Sequence, residues 1–179
     1  MNTKGNFLLG ISVIMSLSLV VLIGCTTSNP PVDATKKTTG TLTVSTLTSA
    51  AGGSYAPRNV VAIWVETNSG QYVKTLLAYA AERKFDLTTW NANSSGNTTD
   101  AITGATQLKH TTRTSTWNGK DANGNIVANG YYKLCMELSD KNGSGNFSSF
   151  AFAKDTVATT LKPTNVSSFS NISIKWIPN

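Results

Sequence analysis

The sequence has few of the residues from which most catalytic and metal sites are built. It contains one histidine, two cysteines and nine acidic residues in 179. His110 has no neighbouring ligand with the spacing of a zinc site. Asp121, Asn123 and Asn125 lack the glycine and glutamate positions of a calcium-binding loop. Nine acids also argue against a hydrolase with paired carboxylates, so we do not expect an enzyme.

The cysteine and charge content narrow the class of protein further. Two cysteines, Cys25 and Cys135, are too few for a fold stabilised by several disulfide bonds. The fold must therefore be stabilised by its hydrophobic core. The formal net charge is +6, but the basic residues are scattered and do not interleave with aromatic ones. We therefore expect no nucleic-acid partner.

The first 24 residues predict a lipoprotein signal peptide. Lys4 supplies a positive charge, residues 7–23 are mainly apolar, and the segment ends in the letters LIGC. This ending resembles the lipobox of bacterial lipoproteins. The resemblance implies cleavage before Cys25 and a membrane anchor through its lipidated sulfur. An uncleaved transmembrane anchor is the alternative, because the apolar run is nearly long enough to span a bilayer.

The anchor implies an extracytoplasmic location. Residues 25–39 are polar, contain prolines and show no periodicity, which predicts a flexible tether. Thr26 after the cysteine favours the outer membrane, on its periplasmic side or at the cell surface, by analogy with lipoprotein sorting in enteric bacteria.

Residues 40–179 predict one all-β domain. Leu42 and Val44 alternate with threonines, and the letters VVAIWVE are apolar on both faces, as in a central strand covered on each side. Four Asn-Gly pairs mark turns. In YYKLCMELSD the alternation predicts a core face that begins at Tyr132 and places Cys135 on the more polar face. The letters AERKFDLTTW alone suggest a helix, followed by a loop. Short strands between turns predict an antiparallel β-sandwich.

The letters TWNGKDANGNIVANGYYKL resemble an immunoglobulin-like module found in the flagellar hook-cap protein and in many bacterial surface proteins. The resemblance implies a single immunoglobulin-like sandwich in which Trp117 anchors the core and Tyr132 starts the next strand. A fold of this kind does not specify an activity. It therefore leaves open a non-enzymatic structural or protein-binding surface lipoprotein.

A wider resemblance covers most of residues 58–155. The letters VVAIWVETNSGQYVKTLLAYA, DAITGAT and TSTWNGKDANGNIVANGYYKL follow in the order seen in the bacterial family called domain of unknown function 2271. Members of this family are exported and are often encoded beside membrane redox proteins and flavin-transfer enzymes. The resemblance implies an accessory protein of a membrane redox system.

The heptapeptide DAITGAT resembles the flavinylation motif Asp-x-x-Ser/Thr-Gly-Ala-Thr. The resemblance implies that an exported FMN transferase joins FMN to Thr106 through a phosphoester. Asp100, Thr103, Gly104 and Ala105 would form the segment that the transferase recognises. The alternative is a connecting loop, with a tight turn at Gly104 and Ala105 and with Asp100 capping local amides.

Neighbouring side chains suggest how an attached flavin would be held. Lys109, His110 and Arg113 are expected to neutralise its phosphate. Trp90 or Trp117 is expected to shield one face of its ring by stacking. Electrons would then pass between this protein and a membrane redox protein.

Overall fold

The computed structural model describes residue 1 and residues 31–179, and the second range folds into two packed β-sheets. The predicted signal peptide, Cys25 and the first residues of the predicted tether lie outside the described residues. The all-β sandwich is confirmed. Its closer likeness to immunoglobulin modules stays a prediction.

Within residues 31–179 the elements follow in the order β1 (Gly40–Thr48), β2 (Val60–Thr67), β3 (Tyr72–Tyr79), a 3₁₀ turn (Lys84–Asp86), α1 (Thr88–Ser94), β4 (Ile102–Gly104), β5 (Thr112–Trp117), β6 (Gly130–Ser139), β7 (Asn146–Lys154), β8 (Thr159–Leu161) and β9 (Phe169–Pro178). One sheet has the order β5-β1-β9-β8, and the other has the order β4-β3-β2-β6-β7. Each strand pair is antiparallel except β3 with β4. The parallel pair arises because α1 lies in the connection between its two strands, as crossover connections allow.

The main core lies between the two sheets. Leu42 and Val44 of β1 are fully buried, as their alternation with threonine predicts. The inner face of β6 contributes Leu134 and its i+2 neighbours, and Trp117 is buried at the end of β5 as expected. Aromatic rings cluster around Trp117, since the ring centroids of Tyr132, Phe152 and Trp176 lie 5.5–6.3 Å away. Such rings bury large apolar areas and dominate the energy of a core.

A second apolar cluster covers the outer face of the five-stranded sheet. Trp64 of β2, Cys135 of β6 and Trp90 of α1 are all essentially inaccessible to solvent. The prediction that both faces of β2 are covered is confirmed. Cys135 lies on the face of β6 opposite Leu134, as predicted, but this face is covered because α1 packs over it, and burial raises the pKa of the Cys135 thiol. The helix also begins later than predicted and occupies part of the expected loop.

Glu137 of β6 caps α1 from outside the helix. Its carboxylate accepts hydrogen bonds from the backbone N–H groups of Thr89 (3.2 Å) and Trp90 (2.8 Å) and from the hydroxyl of Thr88 (3.4 Å). The helix has no side-chain cap of its own. Since the first N–H groups of a helix lack partners inside it, Glu137 satisfies donors that would otherwise be buried unpaired.

The titration of Glu137 should lower the stability of the fold as pH rises. Burial raises its pKa above the ordinary 4.5, although the hydrogen bonds from Trp90, Thr89 and Thr88 oppose the shift. A raised pKa in the folded state adds stability that is complete below pH 4.5 and is lost as pH rises through the folded pKa. We expect the free energy of unfolding of the wild type, relative to Glu137→Gln, to fall between acid and neutral pH. Urea unfolding of both proteins over this range measures it, and a difference that grows with pH would contradict the assignment.

The end of the predicted tether is hydrogen-bonded to the domain. The backbone N–H of Thr38 donates to the Asn129 side chain at 2.8 Å, and the Asn129 N–H donates to the Lys36 carbonyl at 2.8 Å. Lys154 is fully buried, and its ammonium donates to the carbonyls of Thr38 (2.7 Å) and Val127 (3.0 Å). Residues 36–39 therefore belong to the folded unit.

Candidate functional site

The heptapeptide that resembles a flavinylation motif lies at an exposed edge of the five-stranded sheet. Ile102–Gly104 form β4, which pairs with the end of β3 from Leu77 to Tyr79. Ile102 and Thr103 are exposed, and Ala105 follows in a bend. The expectation of a tight turn at Gly104 and Ala105 is therefore wrong, because Gly104 is the last residue of a strand. The short edge strand leaves one side of this segment without a neighbouring strand.

Asp100 pairs with a side chain outside the motif. Its backbone adopts the left-handed conformation, with φ of 55°. Its carboxylate accepts a hydrogen bond at 2.9 Å from the ammonium of Lys74, a β3 residue whose side chain is nearly buried. The expectation that Asp100 caps local amides is not met, since its partner is an ammonium from another strand. The ion pair fixes the chain just before β4.

Gly104 is needed where the chain passes over Tyr79. A Cβ atom at Gly104 would lie 2.8 Å from the Tyr79 Cδ1 atom, which is closer than real Cβ contacts. The Arg113 guanidinium in turn lies over the Tyr79 ring, with its Cζ atom 5.2 Å from the ring centroid. Such cation–π contacts hold both groups in place. The glycine of the motif therefore has a packing role in this fold.

The segment that carries Thr106 is held from both of its ends. Asn59 and Gln107 exchange two backbone hydrogen bonds at 2.8–2.9 Å. The buried Arg113 donates to the Gln107 side chain at 2.8 Å and to the Lys109 carbonyl at 3.1 Å. Thr106 itself is half-buried, and its hydroxyl has no hydrogen-bond partner within residues 31–179. A fixed backbone thus presents an unused hydroxyl.

Thr106 opens onto a groove of about 370 Å³ at one end of the sandwich. The other residues that line it come from four separate loops: Tyr55, Arg58, Arg83, Leu108 and Asn142. These loops follow β1, β3 and β6 and precede β5. Because Leu47 pairs with Thr112 whereas Gly40 pairs with Pro178, the groove lies at the opposite end of the sheet from Gly40. Ligand pockets commonly have this volume or more.

Two arginines give the groove a positive charge. Arg83 is already engaged, since it donates to the Asp86 carboxylate at 2.8 Å and to the Lys141 carbonyl at 2.7 Å. Arg58 is exposed, and within residues 31–179 its guanidinium has no hydrogen bond or ion pair and contacts the Tyr55 ring, 5.9 Å from the centroid. Arg58 is therefore a cation without an acidic partner beside Thr106.

Asp140 holds the loop that carries Tyr55 and Arg58. This fully buried carboxylate accepts hydrogen bonds from the N–H groups of Ala51 (2.8 Å) and Gly53 (2.7 Å). Its backbone carbonyl accepts another from the Tyr55 N–H at 2.8 Å. A Cβ atom at Gly53 would overlap both the carbonyl and the carboxylate of Asp140, so only glycine permits this approach.

The structure changes the expected partners of an attached flavin. Arg113 is buried, donates to Gln107 and Lys109 and does not line the groove, so it is not placed to bind a phosphate there. Burial lowers the pKa of His110, which favours the neutral ring over a cation. Trp90 and Trp117 are both buried, so the expectation that either shields a flavin ring is wrong. Lys109 is exposed but does not line the groove.

Sequence reasoning did not identify Arg58, Arg83 or Tyr55 as site residues. They lie 23–51 residues before Thr106, and Asn142 lies 36 residues after it. No local spacing links these positions, because the strand order of the sandwich brings their loops together. The one local signal is the proline before Arg58, which marks a loop.

Residues 31–179 contain no group of three His, Cys, Asp or Glu side chains placed to share a metal ion. None of the helices within this range has the length and apolar character needed to span a bilayer.

A family model described as "Predicted periplasmic protein (DUF2271)" matches residues 37–167. This range includes β1 to β8 and the whole groove. No curated protein and no solved structure matches the chain at a significant level.

Proposed function

Because the chain belongs to the DUF2271 family of predicted periplasmic proteins, we propose that it carries FMN covalently on Thr106 and serves a membrane redox system outside the cytoplasm. The observation that carries the proposal is the position of Thr106. The last threonine of a flavinylation-like motif presents a hydroxyl without a partner at the rim of a cationic groove.

The surroundings of Thr106 suit a side chain that must enter the active site of another enzyme. Gly104 and Ala105 directly before it are small, and the preceding strand β4 is a short edge strand in which Thr103 is exposed. Functional segments are commonly displayed in this way on a rigid scaffold. Asp100, Thr103, Gly104 and Ala105 would form the stretch that an FMN transferase binds.

The attachment reaction balances with FAD as the donor. The Thr106 oxygen attacks the phosphorus on the riboflavin side of FAD, the pyrophosphate P–O bond breaks, and AMP leaves. The hydroxyl proton passes to a base of the transferase. The product is an FMN phosphoester on Thr106, and the bound flavin supplies the redox chemistry.

In this proposal the protein is an electron carrier and has no catalytic residues. Cys25 would hold it to a membrane through lipid, so that the groove meets a membrane redox protein. A flavin attached covalently to a membrane-tethered domain has a higher effective concentration at a membrane redox protein than a free flavin has.

Replacement of Thr106 with valine should abolish the covalent flavin. The signal-free protein is produced with an FMN transferase and FAD, and its intact mass is measured. We expect a gain equal to FMN minus water in the wild type and in Thr112→Val, and none in Thr106→Val. Thr112 is a matched control, because it is an exposed threonine close in sequence that lies outside the motif. Flavin that survives in Thr106→Val would refute the attachment site.

A second candidate function is favoured by an exposed apolar side chain in the groove. Leu108 lines the groove and is 73% exposed. Exposed apolar surface rimmed by polar residues is typical of protein-interaction sites. If the mass of the wild type stays unchanged with the transferase present, the protein would instead be a structural or protein-binding lipoprotein.

A further inference from the structure

We infer that the groove beside Thr106 is itself a binding site for the FMN group, in which Arg58 pairs with the phosphate and Tyr55 and Leu108 contact the ring system. The inference rests on the proposed function for the identity of the ligand. It adds residues that the flavinylation-like motif does not contain.

Arg58 is the group suited to the phosphate. A phosphate on Thr106 would enter the groove that Arg58 also lines, and this guanidinium has no carboxylate or carbonyl partner within residues 31–179. Arginine binds phosphate through two parallel hydrogen bonds, which lysine cannot match. The contact with Tyr55 already orients the guanidinium, so that less freedom is lost on binding.

The rest of the groove suits a planar ring with polar edges. Leu108 is a large apolar side chain exposed to solvent directly after the Thr106 segment. The Tyr55 ring is fixed by a hydrogen bond from the Asn142 amide to its hydroxyl, at 3.0 Å, and by the Arg83 guanidinium, whose Cζ atom lies 4.8 Å from the ring centroid. Rigid aromatic and aliphatic side chains with a few polar groups are typical of small-molecule sites.

A neighbouring groove is a weaker candidate. It has a volume of about 280 Å³ and is lined by Trp90, Thr103, Lys84 and several small residues. Thr106 does not line it, so a phosphoester on Thr106 does not begin there. The Lys84 ammonium lies 5.3 Å from the centroid of the Phe85 ring. The groove with Arg58 is therefore the one continuous with the attachment point.

The test separates binding from attachment. In a Thr106→Val background no covalent bond forms, so noncovalent binding of FMN is titrated by quenching of flavin fluorescence. Riboflavin, which lacks the phosphate, is titrated in parallel, and inorganic phosphate serves as a competitor. The same titrations are made after Arg58→Gln, and after Lys109→Gln as a control for an exposed cation on the Thr106 segment. Circular dichroism and thermal unfolding confirm that each variant is folded.

We expect FMN to bind about tenfold more tightly than riboflavin, as one charge-assisted contact predicts. Arg58→Gln should remove this preference, and Lys109→Gln should change it less than twofold. Equal binding of FMN by the Arg58→Gln protein, or no FMN binding up to millimolar concentration, would overturn the inference. A tenfold loss in Lys109→Gln alone would assign the phosphate to Lys109 and would also overturn it.

The two proposals fail in different ways. If FMN binds in the groove but the mass of the wild type does not increase with the transferase, covalent attachment is refuted and the groove stands as a reversible flavin site. If the mass increases but Arg58→Gln leaves noncovalent FMN binding unchanged, attachment stands and the groove assignment is refuted.

Discussion

Replacement of Asp140 with alanine should lower the free energy of unfolding by about 3 kcal/mol and should disrupt the groove. The carboxylate is fully buried and accepts two backbone hydrogen bonds, from Ala51 and Gly53. Its removal leaves these N–H groups unpaired next to a cavity, and each unpaired buried donor costs about 1–3 kcal/mol. The loop with Tyr55 and Arg58 then loses its support, so we also expect weaker FMN binding.

A matched control comes from Asp33, which makes a similar bond in solvent. Its carboxylate accepts the N–H of Thr35 at 3.1 Å, but both residues are exposed. Asp33→Ala should change the free energy of unfolding by less than about 0.5 kcal/mol. Urea unfolding measures both variants. Equal small losses in the two would show that Asp140 does not support the loop.

Replacement of Lys154 with methionine should cost about 3 kcal/mol of unfolding free energy. The Lys154 ammonium donates to the carbonyls of Thr38 and Val127 and, at 3.3 Å, to the Asn129 side-chain oxygen. Methionine fills a similar volume but donates to none of them. Burial lowers the pKa of Lys154, and these acceptors together with the Trp176 ring, 5.6 Å away, are what hold the ammonium inside.

The exposed Lys175 of β9 provides the comparison. Lys175→Met should leave the free energy of unfolding within about 0.5 kcal/mol of the wild type. Lys154→Met should in addition release residues 36–39, which would show as faster amide hydrogen exchange at Thr38. A stable Lys154→Met protein with unchanged exchange would mean that the buried ammonium contributes nothing to the attachment of this segment.

The strands were predictable from sequence because their signal is local. Leu42 and Val44 alternate with threonine along β1, and this period of two places them on one face whatever the neighbouring strand is. Asn-Gly pairs likewise mark turns through their own backbone preferences. The sandwich follows from many such signals in succession.

The covering of the outer sheet face was not predictable in the same way. Cys135 alternates with Lys133 and Glu137 along β6, and this pattern predicts a polar face. Glu137 is nevertheless buried, because its partners are N–H groups of α1, 47 residues earlier in the chain. No local pattern in the sequence indicates that a glutamate has such partners. Because an unpaired carboxylate is costly to bury, the sequence alone predicts that Glu137 is exposed.

The residues of the candidate site also fall into two groups, one recognisable from local sequence and one not. The motif from Asp100 to Thr106 is local, and its position was found by resemblance. Arg58 and Tyr55 depend on the loop that Asp140 supports, and Asp140 is about 85 residues away in sequence. Their place beside Thr106 is a product of the tertiary fold alone.

The attachment of residues 36–39 has a practical consequence for handling the protein. Both ends of the folded unit meet at one edge, where the Asn179 N–H donates to the Thr39 carbonyl at 3.0 Å and Gly40 pairs with Pro178. The groove lies at the opposite end of β1. A tag or fusion partner at either end therefore points away from the groove. A domain linked by its last residue to an electrode surface would present Thr106 to the solution, and voltammetry could then be performed on an oriented layer.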